Sequence, residues 1–107
     1  MGPLEGIRIL EIAGIGPGPF AGMMLSDMGA EVVKIEDPTN PDPYRGDVQG
    51  GVDPATGMHT YFETMNRGKR SIAIDMAKPE GRELLLRLGE RSDVVIENFA
   101  VGVIDRL

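Results

Sequence analysis

Apolar residues in this chain come in short dense runs, separated by segments that read alternately as helices and as loops. Ile7, Ile9, Leu10 and Ile12 form the first run, broken only by Arg8 and Glu11. That is the pattern of a strand buried over most of both faces. A turn rich in glycine and proline follows, Gly14-Ile15-Gly16-Pro17-Gly18-Pro19. Pro19 suits the first position of a helix, where its missing N–H would be unpaired anyway. Phe20, Met23, Met24 and Met28 then recur at helical spacing. This predicts a stripe packed against a sheet, with Gly29 as a left-handed stop. The next run, Val32-Val33-Lys34-Ile35, closes at Glu36. Strand, glycine loop, helix, strand is a βαβ unit.

Residues 37–70 break the pattern. Pro38, Pro41 and Pro43 remove donors and push their neighbours to extended forms, and Gly46, Gly50, Gly51, Pro54 and Gly57 keep the stretch open. The reading is one long irregular loop, a lid, a binding loop or a disordered stretch. Regularity returns with a third strand, Ser71 to Asp75, and a helix opened by Pro79 in which Leu84, Leu85 and Leu88 face the core. Glu83 and Arg87 make an outward i,i+4 pair. A fourth strand, Asp93 to Glu97, ends at Asn98-Phe99, and Val103 to Leu107 starts another helix. Four strands joined mostly by helices predict an α/β fold over residues 1–107, a Rossmann-like, doubly wound parallel sheet with right-handed crossovers.

Composition narrows the class of function. The 107 residues make one domain's worth of chain, and 41% hydrophobic with 26% charged residues is ordinary for a globular protein. Eleven basic against seventeen acidic residues give a net charge of −6, which argues against nucleic acid and anionic membranes as partners. Without cysteine there is no disulfide, thiolate–zinc site or thiol nucleophile. No apolar stretch approaches the length of a membrane span, and MGPLEGIR lacks signal-peptide character, so the expected location is the cytoplasm.

Ligands of such sheets bind beyond the carboxyl ends of the strands. Those ends are the glycine loop, Glu36-Asp37, Asp75-Met76 and Glu97-Asn98-Phe99. Gly14-x-Gly16 after a strand, with an acid ending the second strand, suggests dinucleotide binding. Against it, Pro19 stands where the third glycine belongs, and Pro17 and Pro19 lack the N–H groups that hold a pyrophosphate. Gly16 and Pro17 fit better as a rigid, donor-poor wall. His59, with no acid nearby in sequence, reads as an ordinary loop residue. Arg67-Gly68-Lys69-Arg70 is the densest cationic run, read either as a phosphate contact or as a solvated turn.

Five motifs taken together carry a family resemblance. Leu4-x-Gly6-Ile7-Arg8-Ile9-Leu10-Glu11, Gly18-Pro19-Phe20-Ala21, Gly29-Ala30-Glu31-Val32-Val33-Lys34-Ile35-Glu36, Asn66-Arg67-Gly68-Lys69-Arg70-Ser71-Ile72 and Asp93-Val94-Val95-Ile96-Glu97-Asn98-Phe99 stand in the order found in the family III CoA-transferases. The resemblance spans essentially the whole chain, and the Ala13 to Phe20 loop is most similar to the racemase branch, typified by α-methylacyl-CoA racemase. It implies that the chain is the N-terminal portion of a longer enzyme. It also implies an acyl-CoA thioester as substrate, no further cofactor and no metal, and a homodimer of interlocked subunits. Resemblance places the CoA nucleotide near Ile74, Asp75, Met76, Asn98, Phe99 and Arg106, and the thioester beside Gly16 and Pro17; Lys69 and Arg70, as cations near the strand ends, suit the phosphates of CoA. Asp37, Ala77 and Ala100 depart from the family, which usually has basic residues there. The acid and base of the family's racemases and the nucleophilic Asp of its transferases fall outside the matched segment, so no catalytic residue is assigned in this chain.

The expected function is therefore acyl-CoA binding within a racemase that interconverts 2-methylacyl-CoA epimers by α-proton transfer. The alternatives are a CoA-transferase moving CoA between carboxylic acids, and a non-catalytic binding or assembly module.

Overall fold

A computed structural model describes residues 2–12, 14–45 and 52–106. Ala13, Leu107 and residues 46–51, the middle of the expected irregular loop, lie outside the described residues. Among the described residues four strands form one sheet: β1 (Arg8–Ile12), β2 (Glu31–Glu36), β3 (Arg70–Ala73) and β4 (Val94–Glu97). Their order is β3-β2-β1-β4 and every pairing is parallel. Between them lie α1 (Pro17–Asp27), α2 (Thr60–Met65) and α3 (Pro79–Glu90), with single 3₁₀ turns at Pro43–Arg45 and Ile104–Arg106. The chain runs outward from β1 to β2 and β3, then returns to place β4 on the other side. This is the doubly wound α/β arrangement that the strand pattern predicts.

Strand alternation divides the core in two. Leu10, Ile12, Val33 and Ile35 face one way and pack with Ile74, Met76, Leu85, Leu88, Phe99 and Ile104, so α3 covers that face. Ile9 and Val32 face the other way against Ala30 and Leu25. The same face carries Met23 of α1 against Tyr44, Phe62 and Met65. The central β1 is buried from Ile9 to Ile12, whereas the edge strand β3 is exposed throughout.

Several expectations need correction. Only Met23 of the apolar stripe is buried, while Phe20, Met24 and Met28 are 49%, 43% and 43% exposed. The buried face of α1 is Gly18, Pro19, Gly22 and Met23, a line of small residues that brings the helix close to the sheet. At Gly22 an added Cβ would lie 1.9 Å from Glu11 Oε1, so this approach requires glycine. Leu84 is also exposed, at 48%. The loop after β2 is not wholly irregular, because it contains α2, whose Phe62 and Met65 are buried. At the other end, the expected last helix is the single turn Ile104–Arg106.

Candidate functional site

A cavity of about 390 Å³ opens at the carboxyl ends of β1 and β2. Ile12 and Gly14 follow from β1, Ile35 to Asp37 from β2, Met76 lies after β3, and Phe99 and Val103 come from the chain after β4. Asn40 to Pro43 close the remaining side. Apolar walls with polar groups on one flank are what a flat, amphipathic ligand requires.

The walls are held by side chains that reach across the sequence. Gly16, which precedes α1, has φ 80 and ψ −125, a conformation open essentially to glycine alone. Its N–H donates to the Tyr44 hydroxyl at 3.0 Å. Asn98 Nδ2 donates to the Ile15 carbonyl at 2.7 Å. The glycine loop is thereby pinned from both sides, by the Pro43–Arg45 turn and by the end of β4. On the β2 flank, Arg45 grips Glu36 through Nε at 2.8 Å and Nη2 at 3.0 Å, and Ser71 Oγ donates to the same carboxylate. Arg45 first, with Ser71 adding to it, holds the Glu36 carboxyl below the usual glutamate range despite its partial burial.

Lys34 and Asp42 of the lining belong to a cluster of four buried charges that reaches back from the cavity. The register sets Glu11 beside Lys34 on the α1 face of the sheet. Lys34 Nζ is 3.6 Å from Glu11 Oε2 and 2.8 Å from Asp42 Oδ2. Lys69 Nζ is 2.7 Å from Glu11 Oε1 and donates to Oε2 at 3.0 Å, to the Pro19 carbonyl at 3.0 Å and to Asn66 Oδ1 at 3.1 Å. Side-chain exposure in this group does not exceed 3%. Burial pushes the Glu11 carboxyl upward against the two lysines that pull it down, and pushes the Lys69 ammonium downward. Two positive and two negative charges balance, which is the condition under which buried ions are tolerated. The cluster joins β1, β2, the start of α1, the segment at Asp42 and the turn before β3.

The residues singled out from the sequence divide accordingly. Met76 and Phe99 line the cavity, while Ile74 belongs to the core beneath it. Asp75 accepts from the Ala77 N–H through Oδ1, as a turn residue does. Asn98 faces Ile15, and Gly16 and Pro17 stand at the start of α1. Arg106 donates from Nε to the Gly102 carbonyl, next to Val103 of the cavity. The cationic run does not converge on the cavity. Arg67 pairs with Asp27, Lys69 is enclosed with its three donors taken, and Arg70 pairs with Glu31 at the opposite, amino-terminal end of β2. Sequence reasoning missed Glu11, Asp42 and Tyr44. The one available signal was Glu11 itself, a charge inside the most apolar run of the chain.

Residues 4–107 match the sequence profile of CoA-transferase family III. The chain belongs to this family. It is 48% identical over 100 residues to a succinate–glutarate CoA-transferase of Agrobacterium fabrum, covering 91% of this chain and 25% of that protein. To a formyl-CoA:oxalate CoA-transferase of Afipia carboxidovorans it is 40% identical over 104 residues, covering 97% of this chain and 24% of that one. A crystal structure of a CAIB/BAIF family protein from Brucella suis matches with a TM-score of 0.85 and 42% identity, over 98% of this chain and 28% of that one. The family III chain thus spans about a quarter of the length of these relatives. Among its described residues no helix is long and apolar enough to cross a membrane.

Proposed function

We propose that this chain supplies the CoA-holding sheet of a family III CoA-transferase that moves CoA between small carboxylic acids. The observation that carries the reading is the family match over residues 4–107, joined to relatives named for succinate, glutarate, mesaconate and oxalate transfer. Those names favour transfer over the epimerisation suggested by the Gly16-Pro17 loop. The cavity suits the nucleoside end of CoA: Ile12, Met76, Phe99 and Val103 offer apolar surface to a base, and Glu36 and Asp37 offer acceptors to ring amines and ribose hydroxyls. Gly16 and Pro17, held by Tyr44, would then stand on the thioester side. Transfer itself uses residues that the resemblance places outside this segment, in a homodimer of longer chains.

Three measurements separate the readings. A protein containing this segment, given an acyl-CoA and a labelled free dicarboxylic acid, should pass CoA to the labelled acid. If instead solvent deuterium enters the α position of the thioester and no label moves, the racemase reading replaces this one. If the 107-residue chain shows no heat with CoA up to millimolar concentration, it is an assembly module and not a CoA-holding sheet.

A further inference from the structure

The cavity has a charge polarity. Its β2 flank carries Glu36, Asp37 and Asp42 against two cations, Arg45, which grips Glu36, and Lys34, which is tied to Asp42 and Glu11. Both cations are engaged by carboxylates and Asp37 is left over, so a phosphate placed on that flank would meet a net negative charge, an unfavourable position. The β3–α3 side differs. Arg82, in the first turn of α3, donates from Nε to the carbonyl of Met76 at 3.1 Å, and Met76 is a wall of the cavity. That bond uses one of five guanidinium N–H groups and fixes the plane of the head beside the wall. The start of α3 has no room to drift, because a Cβ on Gly81 would lie 1.9 Å from the Asp75 carbonyl oxygen. Lys78 lies one turn earlier, so two cations stand four residues apart at the positive end of a helix. Helix-end electrostatics disfavours cations there, with Glu80 between them offsetting part of the cost, and such departures gather where a site needs them.

We infer that Arg82 is the phosphate anchor of the acyl-CoA site. Its Nε holds the Met76 carbonyl, its Nη groups take phosphate oxygens of the CoA nucleotide, and the nucleoside fills the cavity. The inference rests on the acyl-CoA reading above, and the test keeps the two apart. Amide chemical shifts of the wild-type chain, Arg82→Gln and Arg82→Ala are followed during titration with CoA, 3′-dephospho-CoA and adenosine. Arg82→Gln keeps a donor for the Met76 carbonyl and loses the charge. It should weaken CoA by about ten- to a hundredfold and leave adenosine unchanged. The Ala variant should weaken CoA at least as much. A loss that persists with 3′-dephospho-CoA assigns the anchor to the diphosphate, and a loss that vanishes assigns it to the 3′-phosphate. Equal CoA affinity in wild type and Arg82→Gln, or an equal loss for adenosine, overturns the anchor while the acyl-CoA reading stands. Absence of CoA binding by the wild-type chain overturns that reading and the anchor with it.

Discussion

Replacing Lys69 by Met tests the buried charge cluster most severely. The methionine fills similar space but deletes the contacts to both Glu11 oxygens, to the Pro19 carbonyl and to Asn66 Oδ1. Glu11, fully enclosed, is left with Lys34 Nζ at 3.6 Å, and Lys34 is already engaged with Asp42 at 2.8 Å. At an effective dielectric constant of about 20, the attraction at 2.7 Å is about a third larger than at 3.6 Å, so more than half of the pull on Glu11 disappears. Breaking a buried pair by removing one partner costs about 3–5 kcal/mol, a large part of the roughly 5–15 kcal/mol that holds a domain of this size. At about 4 °C per kcal/mol, Tm should fall by about 12–20 °C. The assay is urea unfolding followed by far-ultraviolet circular dichroism, with the m-value checked against wild type. Adding Glu11→Gln to Lys69→Met removes the stranded charge and should recover part of the loss. A single-variant loss below about 1 kcal/mol, the range of solvent-exposed pairs, would refute the reasoning, as would a double variant no more stable than Lys69→Met.

Further outcomes follow from neighbouring contacts. Gly22→Ala should destabilise by about 1–3 kcal/mol in urea unfolding, because the overlap with Glu11 outweighs alanine's better helix propensity. Tyr44→Phe removes the acceptor for the Gly16 N–H, so stability should fall by about 1 kcal/mol and amide exchange at Gly16 should quicken. Arg45→Met should reshape the acid limb of stability. With Glu36 held below its unfolded value, the unfolded chain binds more protons in that window, so stability is present above the ordinary glutamate range and lost as pH falls through the folded pKa. The variant should flatten that rise in unfolding free energy between acid and neutral pH; an unchanged slope would assign it to other carboxylates.

How much was legible in the sequence depended on whether a feature is local. The four strands and their doubly wound order follow from apolar runs and glycine turns, which act over a few residues. The face of α1 misled because methionine and phenylalanine look like core, whereas Gly18, Gly22 and Pro19 give no hydrophobic signal and do the close packing. α2 escaped notice as six residues in a stretch dominated by glycine and proline. Glu11 could be seen as an intruder in β1 but its partners could not, since Lys69 lies 58 residues away and meets it only after β1, β2 and β3 have paired. The same distance explains the cationic run: its three charges look alike in sequence, and the sheet sends Arg70 to one end and Lys69 to the interior. Arg82 reads as one more helix surface charge until the strand end beneath it is known.

The central claim is that the cavity at the strand ends holds the nucleotide of CoA. Its most direct test is a titration of the ¹⁵N-labelled chain with CoA, followed residue by residue. Saturable shifts should concentrate at Ile35 to Asp37, Met76, Phe99 and Val103, and the amides of Asp27, Glu31 and Arg70 should stay still. Shifts confined to Arg67–Arg70, or none up to millimolar CoA, would contradict the account.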